Sequence, residues 1–85
     1  MASYRLIVAK SAAKELEAIP LGDRRRTAAR IAALAENPRP PDSRKLAGRD
    51  GYRVRQGDWR VLYQIDDAAK VVDIVKIAHR REAYR

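Results

Sequence analysis

The stretch that most restricts what this chain can fold into is YRVRQGDWRVLY, from Tyr52 to Tyr63. Gly57-Asp58 supplies the turn chemistry of a two-residue hairpin, so Tyr52 to Gln56 and Trp59 to Asp66 are predicted as two antiparallel strands. Side chains on a strand alternate between faces. Tyr52 and Val54 therefore share one face with Trp59, Val61, Tyr63 and Ile65, which form an apolar stripe. Arg53, Arg55 and Arg60 fall on the other, beside Leu62 and Gln64. If the apolar stripe is buried, three guanidinium groups converge on an uncovered face, which makes an anion site carried on a rigid sheet.

The flanking sequence provides a cover for the apolar side only. Tyr4 to Ala9 reads as a first strand. Ser11 stands where an N-cap belongs, and Ala12, Leu16 and Ile19 recur at helical spacing until Pro20 ends the helix. Asp23 is the expected N-cap of a second helix reaching to about Asn37, with Ala28, Ile31, Leu34 and Ala35 as its apolar stripe. Arg24, Arg25, Arg26 and Arg30 lie off that stripe and read as a solvated helix face. Asn37 to Gly51 carries three of the four prolines and two glycines, so neither helix nor strand is expected there. A loop of that length in a small domain is usually functional or loosely ordered. After the hairpin, Asp66 to Ala69 turns the chain, and Val71 to Ile77 has the Val and Ile density of a central strand. The fold class is α+β in the order β-α-α-β-β-β, with a largely antiparallel four-stranded sheet and two N-terminal helices packed on one face.

Eighty-five residues make a single domain, residues 1–85, near the lower size for an unstapled core. There is no cysteine and one histidine, which argues against disulfides, thiolate chemistry and a zinc site. No run is long and apolar enough for a membrane span, so a soluble, cytoplasmic protein with no membrane partner is expected. A net charge of +8 attracts a polyanion, nucleic acid first and an acidic protein second. Arginine outnumbers lysine, which favours planar, bidentate phosphate recognition, although a GC-rich genome raises the arginine content as well.

No metal ligand set, glycine-rich phosphate loop or nucleophile elbow is present, and no cofactor is expected. What guanidinium, imidazole and phenol can do without them is cleave RNA through its own 2′-hydroxyl. That reaction needs an oriented phosphate, stabilised charge and two proton transfers. Arg53, Arg55 and Arg60 suit the first two tasks but cannot act as bases. Proton transfer falls to His79 or Tyr84, with Asp42 in the long loop as a weaker candidate. Each has a plainer reading: His79 as a surface imidazole beside Arg80 and Arg81, Tyr84 as an aromatic anchor for the tail. Lys45, Arg49 and Arg81 are the expected additional RNA contacts.

KLAG at Lys45 to Gly48, YRVRQGDWRVLYQIDD at Tyr52 to Asp67 and IAHRREAYR at Ile77 to Arg85 resemble the RelE branch of the RelE/ParE toxin superfamily over essentially the whole chain. The resemblance implies a ribosome-dependent, metal-independent endoribonuclease that cuts mRNA in the A site. It also implies a cognate acidic, RelB-like antitoxin, with operator DNA contacted only through the toxin–antitoxin complex. Arg53 and Arg55 then match a basic pair that is lysine in the founding type, Arg60 a phosphate-binding arginine, Arg80 a C-terminal arginine and Tyr84 a late tyrosine. Two alternatives stay open: a ParE-like inhibitor of DNA gyrase that cleaves nothing, and a degenerate toxin acting mainly as an antitoxin-bound co-repressor.

Overall fold

The computed structural model describes residues 4–48 and 50–80. Its elements run β1 (Arg5–Val8), α1 (Lys10–Glu17), α2 (Leu21–Leu34), β2 (Arg44–Lys45), β3 (Tyr52–Gln56), β4 (Trp59–Asp66) and β5 (Val71–His79). They build one mixed sheet in the order β1-β5-β4-β3-β2, antiparallel except where β1 pairs in parallel with β5. The α+β architecture agrees with the sequence reading. The sheet has a fifth strand because Arg44 and Lys45, inside the proline-rich loop, pair with Arg53 and Tyr52.

The hairpin has the predicted bounds. Gly57 adopts φ +60° while Asp58 stays at negative φ, the pattern of a turn with glycine at its first central position. It closes on the Gln56 and Trp59 pair and fixes the register that sets Val54 against Val61 and Tyr52 against Tyr63. These side chains meet Ala12 and Ile19 of the α1 segment and Ile31 and Leu34 of α2 in one core with Val72, Ile74 and Ile77. A bulge between Leu62 and Tyr63 in the β4–β5 ladder lets both ends of β5 present apolar residues to it.

The helix starts differ from those expected. Ala9 is the N-cap of α1, with extended backbone and no capping side chain, and Ser11 lies inside the first turn. Pro20 is the N-cap of α2, which places Asp23 in the first turn, where its carboxylate binds Arg26 at 2.9 Å. The buried stripe of α2 is Thr27, Ile31 and Leu34, continued by Ala35, and Ala28 is exposed. The spacing i, i+4, i+7 passes through Thr27, so the polar β-branched residue takes the place expected of the smaller alanine.

Two sets of contacts hold the irregular parts. Beyond Ile74, β5 has outgrown its partner β1, and α1 closes the gap: Glu15 accepts from the Ile77 backbone N–H and from the Lys76 ammonium, both at 3.0 Å. The long loop is clamped at its start. The buried Tyr63 hydroxyl donates to the Pro38 carbonyl at 2.6 Å. Arg39 binds both oxygens of Asp67 at 3.2 and 2.9 Å, its Nε donates to the Tyr52 hydroxyl, and the Tyr4 hydroxyl donates to Asp67 at 2.7 Å.

Removing the Glu15 carboxylate strands a half-buried backbone donor, so Glu15→Ala should cost about 1–3 kcal/mol of stability in denaturant unfolding. Arg39, then Tyr4, holds the Asp67 carboxyl down at about 2. A depressed folded-state value gives stability that is present above the unfolded value near 3.9 and lost as pH falls toward 2. The wild-type melting temperature should therefore fall more steeply between pH 4 and 2 than that of Asp67→Asn, in matched thermal melts.

Candidate anion-binding face

Pairing fixes which basic side chains share a face, because residues directly opposite on neighbouring strands point the same way. One row across the sheet is Arg44, Arg53, Leu62 and Lys76, and the next is Arg55, Arg60 and Ala78. The facing Cα atoms of Arg55 and Arg60 are roughly 4.5–5.5 Å apart by ladder geometry, and Arg53 stands about 7 Å along the strand. All three expected guanidinium groups thus lie on the face opposite the helices.

That face is not bare sheet. Arg60 is only 6% exposed, and Leu62 and Ala78 are buried beside it, whereas Arg53 is half-buried and Arg55 exposed. Arg60 is therefore a recessed, restrained cation, and Arg53 and Arg55 are its outer neighbours. Arg44, Arg53 and Arg55 line a cleft of about 200 Å³ together with Asp42. The Arg30 guanidinium, reaching from α2, binds Asp42 and holds its carboxyl below the ordinary range, with Arg44 adding to the effect. An acid stabilised in its charged form is a poor proton acceptor, which weakens the case for Asp42 as the base.

The remaining expected residues divide. Arg80 is docked at the β3–β4 turn: its backbone N–H donates to the Asp58 carbonyl at 2.7 Å, and its Nε lies 3.9 Å from the Asp58 carboxylate. His79 requires a correction. The last strand continues two residues past Ile77, so alternation carries Ala78 to the arginine face and turns His79 toward Trp59, where the two rings meet edge to face at 5.3 Å. His79 borders a cleft with Glu15 and Ile77 on the helix side and does not join the guanidinium groups. Lys45 also points away from Arg44, beside Tyr52. Arg49, Arg81 and Tyr84 lie outside the described residues. Arg44 is the cation that the sequence reading left in an unstructured loop, and its place opposite Arg53 depends on a strand too short to show a period.

Residues 6–84 match the family model for the ParE toxin of the type II toxin–antitoxin system parDE. The chain belongs to this toxin family. Among the toxin's relatives, Toxin RelG of Mycobacterium tuberculosis is 42% identical over 45 residues, a match spanning 53% of this chain and about half (49%) of RelG. The archaeal RelE–RelB complex of Pyrococcus horikoshii contains a chain with 30% identity and a TM-score of 0.79, covering 94% of this chain and 98% of that one. The RelBE toxin–antitoxin complex of Escherichia coli gives 26% identity and a TM-score of 0.77, covering 89% and 95%. The toxin's fold is therefore RelE-like.

If the arginine face is the anion site, Arg53→Ala should weaken binding of a single-stranded oligonucleotide several-fold and lower the slope of log affinity against log salt by about 1. Asp42→Asn, which removes a negative charge from the same cleft, should tighten binding. Fluorescence anisotropy across a salt series checks both.

Proposed function

We propose that this toxin is a ribosome-dependent endoribonuclease that cleaves mRNA in the A site. The observation that carries the reading is the convergence of Arg53, Arg55 and Arg60 on one face across two paired strands, with Arg80 docked at the turn that joins those strands. The 2′-oxygen of the nucleotide attacks its own 3′-phosphorus, the bond from phosphorus to the 5′-oxygen of the next nucleotide breaks, and a 2′,3′-cyclic phosphate and a 5′-hydroxyl result. Arg60, recessed and restrained, binds a non-bridging oxygen and stabilises the charge that grows there. Arg53 and Arg55 hold the phosphate in line from the outer side. One proton leaves the 2′-hydroxyl and one reaches the departing 5′-oxygen. No arginine can perform the first transfer, and His79 faces elsewhere, so in this proposal Tyr84 or water moves the protons.

The partner proposed for the free toxin is an acidic RelB-like antitoxin made from the same operon. Charge complementarity with a +8 domain supports it, as do the RelE–RelB complexes among the structural relatives. Operator DNA is reached only through that complex, and the site of action is the cytoplasm. A second reading, a gyrase inhibitor without nuclease activity, is favoured by one observation: the matching family model is that of ParE.

In a translating extract the wild type should produce new mRNA ends within open reading frames, dependent on ribosomes. Arg60→Ala should lower the cleavage rate by about a hundredfold or more, as removal of one charge-stabilising donor does. Growth arrest with DNA breaks and intact mRNA would reverse the ranking of the two readings.

A further inference from the structure

Arg44 is not needed for the charge and proton steps of the proposed cleavage, yet it lines one cleft with Arg53 and Arg55. Its position is fixed through the backbone. The Ser43 N–H donates to the Pro40 carbonyl and the Leu46 N–H to the Gly51 carbonyl, both at 2.9 Å, so the two residues of β2 are pinned at each end. Gly51, buried and at φ +123°, permits the second contact: a Cβ there would lie 3.1 Å from Leu46 Cδ1 and 3.0 Å from the Tyr63 carbonyl oxygen. With β2 held in register, Arg44 stands opposite Arg53 on the arginine face, and its side chain is exposed. Asp42, the one acid lining the cleft, is already paired with Arg30 of α2, so the balance of charge there favours an anion.

Resting on the nuclease reading, we infer that Arg44 binds the phosphodiester of the substrate RNA that adjoins the cleaved one, so that the face holds two successive phosphates. Arg55 and Arg60 form one row, and Arg44 and Arg53 form the next, about 7 Å farther along the strands. That step is of the order of the separation between successive phosphates in an extended RNA strand. Across the sheet Arg44 and Arg60 lie two strand spacings apart, about 10 Å. A phosphate seated on recessed Arg60 therefore leaves Arg44 for its neighbour, and Arg53 stands between the two. A guanidinium fork can bind two oxygens of one phosphate, which fixes direction as well as place. Holding the strand at two phosphates limits rotation about the reacting linkage, and the energy of the second contact is spent on in-line orientation.

The test removes the cation and the anion in turn. 2′-O-methyl RNA trinucleotides, labelled through an uncharged linker, carry either two phosphodiesters or one phosphodiester and one uncharged methylphosphonate. Fluorescence anisotropy measures their affinity for wild type, Arg44→Ala and Arg44→Lys, with thermal melts showing that all three proteins are folded. Arg44→Ala should weaken binding of the doubly charged trinucleotide about tenfold and leave the singly charged ones little changed, because a lone phosphate settles on the Arg55 and Arg60 row. Arg44→Lys should recover part of the loss, since it keeps the charge without the fork. Equal losses on both kinds of RNA would mean that Arg44 shares one phosphate with Arg60, and no loss on either would mean that it binds none; each result overturns the inference. So does an Arg44→Ala toxin that binds the trinucleotides as wild type does but cuts mRNA more slowly on ribosomes, which would assign Arg44 to ribosomal RNA. The trinucleotides lack the attacking hydroxyl, so the comparison decides the subsite even if a translating extract shows no cleavage, an outcome that sinks the nuclease reading alone.

Discussion

The register of the β3–β4 hairpin is the constraint on which the rest of the toxin depends. Gly57 at φ +60° lets a two-residue turn close on Gln56 and Trp59, and every later pair follows from that closure. Because side chains alternate, a slip of one residue would exchange the faces of one strand, sending Arg60 and Leu62 toward the helices and Val61 and Tyr63 out. Burial of Val54, Val61 and Tyr63 against α1 and α2 opposes such a slip. The hydrophobic core and the arginine face are thus one design read from two sides. The free energy that buries the first also positions the second.

Legibility of the sequence followed the same logic. The hairpin bounds could be read because a glycine turn and strict alternation agree over twelve residues. The Ala12, Leu16 and Ile19 spacing likewise located the face of the first helix. Where the structure depends on contacts distant in sequence, the reading failed. Two-residue β2 has no period of its own and exists only because β3 offers an edge. The phase of α2 passes through Thr27, because helix packing chose the stripe and composition did not. His79 was misplaced because the length of β5 is set by pairing with Trp59, which a local reading that ended the strand at Ile77 does not contain. The neighbourhood of Asp42 was likewise invisible, since Arg30 reaches it across the fold.

Clustered cations carry a cost that the fold must meet elsewhere. Arg55 and Arg60 face each other across a ladder, an arrangement unfavourable between like charges, and Arg60 is nearly buried. The toxin places its carboxylates so that many of them serve the scaffold: Asp67 ties Arg39 and Tyr4, Glu15 closes the edge of β5, and Asp23 and Asp42 bind the α2 arginines. These ion pairs lie largely at the surface, where each contributes little alone. Their combined effect is to fix the loop and both helices around a sheet whose other face gathers Arg44, Arg53, Arg55 and Arg60.

That division bears on how such a face can act on a phosphodiester. A guanidinium on a free loop must be ordered when it meets its ligand, which consumes binding energy. Arg60 is already restrained by burial, in the middle of a sheet whose neighbouring strands are paired on both sides. Electrostatic stabilisation is most effective when the donor needs no rearrangement as charge develops, and a low-mobility cation near a partly dry surface meets that condition. Arg55, on the adjacent strand, is exposed and lies where an entering phosphate would meet it first. Under the proposed function, the gradient from buried Arg60 to exposed Arg55 would divide charge stabilisation from capture of the chain, and both positions follow from the parity of one hairpin.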